Sequence, residues 1–120
     1  MNNFKNMWDF PIVDGVSLPD ANRIHPLMQK RVEMLVQVLK EDGNIRRIVL
    51  FGSSLEFRCD SYSDIDLYIE KYDPDTKLCR LPDLDCGVDI VTNQPHTSRL
   101  YQEIDRTGLL LFDREQAPNQ

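Results

Sequence analysis

One hundred and twenty residues are enough for one small domain, and Leu, Ile, Val and Phe supply 35 of them, about 29%, well above the roughly 20% at which chains default to disorder. Fourteen Lys and Arg against 20 Asp and Glu leave a formal charge of −6. The basic residues are too few and too scattered to track a phosphate backbone, which argues against duplex nucleic acid as a partner. No apolar run approaches the roughly eighteen residues of a membrane span.

Residues 1–21 read as an N-terminal arm, with Pro11, Gly15 and Pro19 but also Phe4, Met7, Trp8, Phe10, Ile12 and Val13. Such a segment either packs back over its own domain or meets another chain, and the Met7, Trp8 and Phe10 cluster suggests a contact surface. A helix follows: Ile24, Leu27, Met28, Val32, Leu35, Val36 and Leu39 fall on one stripe at helical spacing. Pro26 suits its first turn, and Gly43 is expected as its left-handed cap. Ile45 to Phe51 is a β-branched, apolar strand running into Gly52-Ser53. Gly52-Ser53-Ser54, followed by the helix-compatible Leu55 to Arg58, reads as a strand-to-helix turn. Asp64 to Glu70 alternates with period two, so Ile65, Leu67 and Ile69 share one face and Asp64, Asp66 and Tyr68 the other. Lys71 to Pro82 is a loop, Cys86 to Thr92 a third strand, and Ser98 to Arg106 a helix capped by Ser98 and ended by Gly108. Leu109 to Phe112 closes the chain as a short apolar strand or buried tail. The order predicts an α+β domain spanning residues 1–120, a small mixed sheet flanked by helices.

Cys59, Cys79 and Cys86 form no C-x-x-C pair and have no zinc-ligand spacing. The N-terminus also lacks the apolar core of a secretory signal, so free thiols in a reducing cytoplasm are expected. His25 and His96 stand far apart with no companion at ligand spacing, and both read as structural. The negative charge is concentrated: residues 60–89 hold nine acids against Lys71, Lys77 and Arg80, while the rest of the chain is balanced. Such a run is either a solvated face or a cation site that is over-negative until a metal arrives.

Asp64 and Asp66 bear on that choice. Two residues apart on a strand, they emerge on one face about 7 Å apart at the backbone. Aspartate is depleted in strands, and paired like charges on one face repel unless a cation neutralises them. A sequence breaking its own local rule in this way marks a functional position. Asp89, in the next apolar strand, completes a three-carboxylate cluster if the two strands are neighbours. Hard oxygen donors in that number suit Mg²⁺, which keeps waters and bridges to phosphate oxygens. Asp83 and Asp85 fall in the loop and read as solvated charge. Gly52 lets backbone approach a ligand closely, Ser53 offers a hydroxyl to a phosphate oxygen, and the N–H groups of an opening helix would favour an anion. No G-x-x-x-x-G-K-[ST] loop is present.

Gly52-Ser53, ten intervening residues, Asp64-Ile65-Asp66, and Asp89 in the following strand together resemble the nucleotidyltransferase signature of the polymerase β superfamily. More narrowly, the chain is similar to the minimal nucleotidyltransferases that partner HEPN proteins in prokaryotic toxin–antitoxin pairs. The resemblance spans residues 24–112. One departure is Leu55-Glu56-Phe57, where many members carry small and basic residues; Arg58 just beyond is then the basic side chain offered to the triphosphate. The resemblance implies the sheet of that superfamily. It also implies two Mg²⁺ ions on Asp64, Asp66 and Asp89, and Gly52 and Ser53 on the β- and γ-phosphates of a nucleoside triphosphate. A monophosphate would pass from ATP to an acceptor hydroxyl on a partner protein; the partner chain would be HEPN-like, or the chain would form a homo-oligomer. Two alternatives share the fold: a non-catalytic antitoxin that only binds its partner, and an enzyme modifying a small molecule such as an antibiotic. A phosphoacceptor receiver domain would need a late-strand Lys and a regular βα alternation, and neither is present.

Overall fold

The computed structural model describes residues 9–116. After one 3₁₀ turn, the elements are α1 (Pro26–Leu39), β1 (Ile45–Phe51), a second 3₁₀ turn (Gly52–Leu55), β2 (Ile65–Lys71), β3 (Val88–Thr92), α2 (Arg99–Thr107) and β4 (Leu109–Asp113). The sheet order is β3-β2-β1-β4. β1 runs antiparallel to both β2 and β4, while β2 and β3 are parallel. The α+β order of elements is therefore as the periodicities predict, and the sheet is mixed. No helix among the described residues is long and apolar enough to cross a membrane.

Strand alternation decides which side of the sheet each helix covers. Ile48, Leu50, Ile65, Leu67 and Ile69 are fully buried and form one cluster with Met28, Val32, Leu35 and Leu39 of α1. On the opposite face Val49 and Tyr68 pack against Ile104 and Tyr101 of α2, with Phe51 and Val91 beside them. Parallel neighbours such as β2 and β3 need a long crossover, commonly a helix. Here residues 72–87 supply it as irregular chain, seating Leu78, Cys79, Leu81, Leu84 and Cys86 against the larger cluster. All three thiols are unbridged, and burial, the first cause for each, pushes them above the usual cysteine range.

α1 begins with Pro26 in its first turn, and His25 caps it, the ring Nδ1 accepting from the Leu27 amide at 3.2 Å. The helix ends at Leu39 on a Lys40 cap, so Gly43 is not its left-handed cap; Gly43 lies in the following turn with a φ outside the left-handed region. Arg114 seals this end instead, donating to the carbonyls of Lys40, Asp42 and Ile45. Leu27, counted on the apolar stripe, is 48% exposed, and its place in the core goes to the amide Gln29.

Gln29 is what holds the described part of the arm. Its amide donates to the Pro11 and Ile24 carbonyls, both at 2.9 Å, and accepts from the Val13 amide at 2.8 Å. Phe10 is buried, its ring tilted against His25 and its amide bonded to the Asn22 carbonyl. Residues 9–21 thus pack on their own domain, which corrects the expectation of a contact surface for Phe10; Met7 and Trp8 lie outside the described residues. Gln29→Leu keeps the volume but strands three backbone groups, so a loss of about 1–3 kcal/mol in urea unfolding is expected. A change within about 0.5 kcal/mol would mean those groups find other partners.

Candidate functional site

Three strand ends converge at one end of the sheet. Phe51 at the close of β1 faces Asp66 across the antiparallel pair, and Asp66 faces Asp89 across the parallel one, so one row crosses all three strands. The neighbourhood of β2 and β3, on which a joint role for Asp66 and Asp89 depends, is thereby observed. Asp64 stands immediately before β2 and is exposed; Asp66 is half-buried and Asp89 exposed. Burial, then the charges of Asp89 and Asp64, hold the Asp66 carboxyl above the ordinary aspartate range.

Gly52 sits against this row. Its φ of 82° lies in the left-handed region, and a Cβ there would come within 2.4 Å of an Asp66 carboxylate oxygen. Backbone and carboxylate meet where a side chain has no room. Beyond Gly52 the structure corrects the sequence expectation: the strand-to-helix turn is a single 3₁₀ turn ending at Leu55, with Glu56 already extended. No helix N-terminus therefore backs the turn. Ser53 is half-buried, its carbonyl accepting from the Glu56 amide; Ser54 is fully buried and ties the turn to α1 by accepting from the His25 amide at 2.8 Å. The Ser54 hydroxyl has no hydrogen-bond partner among the described residues. Arg58 projects into solvent, its side chain 80% exposed, and pairs with Glu56.

The loop from Glu56 to Ser63 is organised by Asp60, whose carboxylate accepts from the Tyr62 amide at 2.9 Å and whose amide donates to Ser63 Oγ. This turn presents Tyr62, 92% exposed, two residues before Asp64. Asp85 pairs with Arg31 at 2.9 Å with its side chain mostly in water, and Asp83 is exposed, so both are the solvated charges expected.

Asp66 beside Asp89 on the neighbouring strand, with a glycine turn that admits close approach, offers hard oxygen donors of the kind Mg²⁺ takes, and a cation would relieve the charge that bears on Asp66. Among the described residues, no three His, Cys, Asp or Glu side chains stand close enough together to hold a metal ion unaided. Mg²⁺ does not require such a cage, since it usually takes one or two carboxylates together with waters and substrate phosphates.

A second polar cluster on the α2 side of the sheet escaped the sequence reading. Glu70 is buried, accepts from the Tyr68 hydroxyl at 2.9 Å, lies 2.6 Å from His96 Nε2 and 2.7 Å from Arg46. His96 stacks on Tyr101 with centroids 4.1 Å apart. The available signal was Glu70 itself, an acid in an apolar strand on the same face as Asp66 and Tyr68. Burial acts to raise the Glu70 carboxyl, but the His96 and Tyr68 bonds and the Arg47 charge outweigh it and hold the group below the ordinary glutamate range. A folded-state pKa below the unfolded one contributes stability above the ordinary glutamate range, lost as pH falls through the depressed value. Thermal melts from about pH 7 to about pH 2 are expected to show Glu70→Gln with a flatter acid limb than the wild type. Parallel limbs would assign the acid sensitivity elsewhere.

Set against family models, curated proteins and solved structures, the chain has no match.

Proposed function

We propose that this chain is a Mg²⁺-dependent nucleotidyltransferase of the polymerase β superfamily. It moves a nucleoside monophosphate from ATP to a hydroxyl on a protein partner, in the manner of the minimal nucleotidyltransferases paired with HEPN proteins. The observation that carries the proposal is the row of Phe51, Asp66 and Asp89 across three adjacent strands, with Asp64 beside it and Gly52 against the Asp66 carboxylate. An acid pair across a parallel ladder has no structural use, because the charges raise each other's energy. A cation between them reverses that sign.

In this reading Asp64 and Asp66 hold Mg²⁺, and Asp89 joins them on the acceptor side. When bound, the ions neutralise charge that develops on the phosphoryl oxygens. Gly52 brings its backbone close to the β- and γ-phosphates, Ser53 donates its hydroxyl to a phosphate oxygen, and Arg58 supplies a mobile positive charge once released from Glu56. The acceptor hydroxyl oxygen attacks the α-phosphorus, and the bond to the β-phosphate oxygen breaks. Pyrophosphate leaves, and the hydroxyl proton passes to the Asp89 carboxylate. The carboxylates, glycine and serine act by position and charge, which is what phosphoryl and nucleotidyl transfer chiefly require.

The test incubates the protein with ATP labelled at the α-phosphate, Mg²⁺ and a candidate acceptor, starting with a small helical HEPN-type protein. Labelled acceptor with stoichiometric pyrophosphate supports transfer. Absence of both with all four nucleoside triphosphates, although the partner binds, would establish a binding module. Label on a small molecule would move the acceptor class.

A further inference from the structure

Gly87 precedes β3, and its carbonyl accepts from the Ile65 amide at 2.9 Å, so it already belongs to the parallel ladder. Its φ lies outside the left-handed region, and nothing in the backbone conformation calls for glycine. Glycine in a ladder weakens it and commonly marks a close approach. Here the approach is identified: a Cβ at Gly87 would lie 2.5 Å from an Asp64 carboxylate oxygen and 3.1 Å from its carboxyl carbon.

The other glycines sharpen the point. Gly15 and Gly43 have open space where a Cβ would stand. Gly108 faces the Ile104 carbonyl at 2.6 Å and the Leu50 carbonyl at 3.1 Å, backbone atoms that cannot swing aside, so that glycine serves the fold. Gly52 and Gly87 instead abut the carboxylates of Asp66 and Asp64. Because Asp64 is exposed, its carboxylate can rotate away from a methyl group at little cost to the fold. What such a rotation changes is where the carboxylate sits.

We propose that Gly87 is a positioning residue that seats the Asp64 carboxylate over the start of β3, in the orientation used for the cation of the nucleotidyl-transfer site, an inference that rests on the function proposed above. Gly87 acts only through Asp64 and touches neither nucleotide nor metal. The two glycines then play matching parts, each leaving a side-chain space that one acidic group fills.

The experiment titrates the full chain with the Mn²⁺ complex of α,β-methylene ATP, a donor that is not cleaved at the transferred bond, and reads bound Mn²⁺ by water-proton relaxation. Gly87→Ala is expected to melt as the wild type does yet bind the complex about tenfold more weakly, the scale on which groups that orient metal ligands act. Asp64→Asn is expected to lose as much, and Gly87→Ala added to Asp64→Asn to lose little more, because both remove the same carboxylate from the same place. Wild-type affinity in Gly87→Ala would overturn the proposal, as would an equal loss on the Asp64→Asn background or a markedly lower melting temperature, which would make Gly87 a fold residue. No binding by the wild type would instead remove the cation site itself, and the role of Gly87 with it.

Discussion

Asp66→Asn is expected to melt at a higher temperature than the wild type without metal, and to transfer nucleotide about 10²–10³-fold more slowly with it. Both halves follow from one observation. Burial and the charges of Asp89 and Asp64 raise the Asp66 carboxyl above its ordinary range, so the folded state holds its proton more tightly than the unfolded state does. By linkage, stability then falls as pH rises from the ordinary aspartate range through the raised value, and above that value the whole penalty is present. Asparagine has the same shape and no charge, and it removes that repulsion. It also removes the carboxylate proposed to hold Mg²⁺. Melts at neutral pH with and without Mg²⁺ plus a non-hydrolysable ATP analogue test both halves: the wild type should gain stability from ligand by mass action and the variant should not. A variant that melts lower than the wild type without metal would make Asp66 a structural acid. The companion substitution Asp89→Asn is expected to leave triphosphate affinity largely intact while abolishing transfer, since its proposed role lies on the acceptor side.

Leu67→Ala is expected to cost about 2–5 kcal/mol, the range for truncating a fully enclosed leucine where neighbours cannot close the gap. Leu67 is fully buried between Leu50 of β1 and Ile90 of β3, within the cluster that joins the sheet to α1. Leu110, on β4, is 39% exposed, and Leu110→Ala serves as the control, expected within about 0.5 kcal/mol of the wild type. In urea the Leu67→Ala midpoint falls while the slope is kept, because the surface exposed on unfolding hardly changes. Equal losses from the two substitutions would mean that the α1 side of the sheet is not the principal core.

How far the residues alone carried this description depends on the range of the forces involved. β1 was legible from Ile45 to Phe51 because a continuous β-branched run between Gly43 and Gly52 has few other solutions, and α2 because Ser98 caps it and Gly108 ends it. The pairing of Asp66 with Asp89 could be stated only as a condition, since the register of a parallel pair is set by packing across a long crossover and not by either strand. Gly52 was visible as a turn glycine. The helix expected after it was not formed: Leu55 is drawn into the core and Glu56 goes extended, so burial of one side chain outweighed local helix propensity.

Local periodicity, cap chemistry and the placing of aspartates inside apolar strands were determined by the sequence itself, because each acts between residues a few positions apart. The tertiary structure decided the rest. Gln29 appears in sequence as a polar interruption of an apolar stripe, and only the return of residues 9–13 over α1 turns it into a buried clamp. Glu70 appears as a strand end, and only the approach of His96, Arg46 and Arg47 makes it a charged centre under α2. Gly87 shows nothing in sequence beyond a small residue within the predicted strand Cys86 to Thr92. The space its missing side chain leaves has meaning only when β2 lies alongside and the Asp64 carboxylate fills it, for steric exclusion acts over a few ångströms between residues that the chain itself keeps far apart.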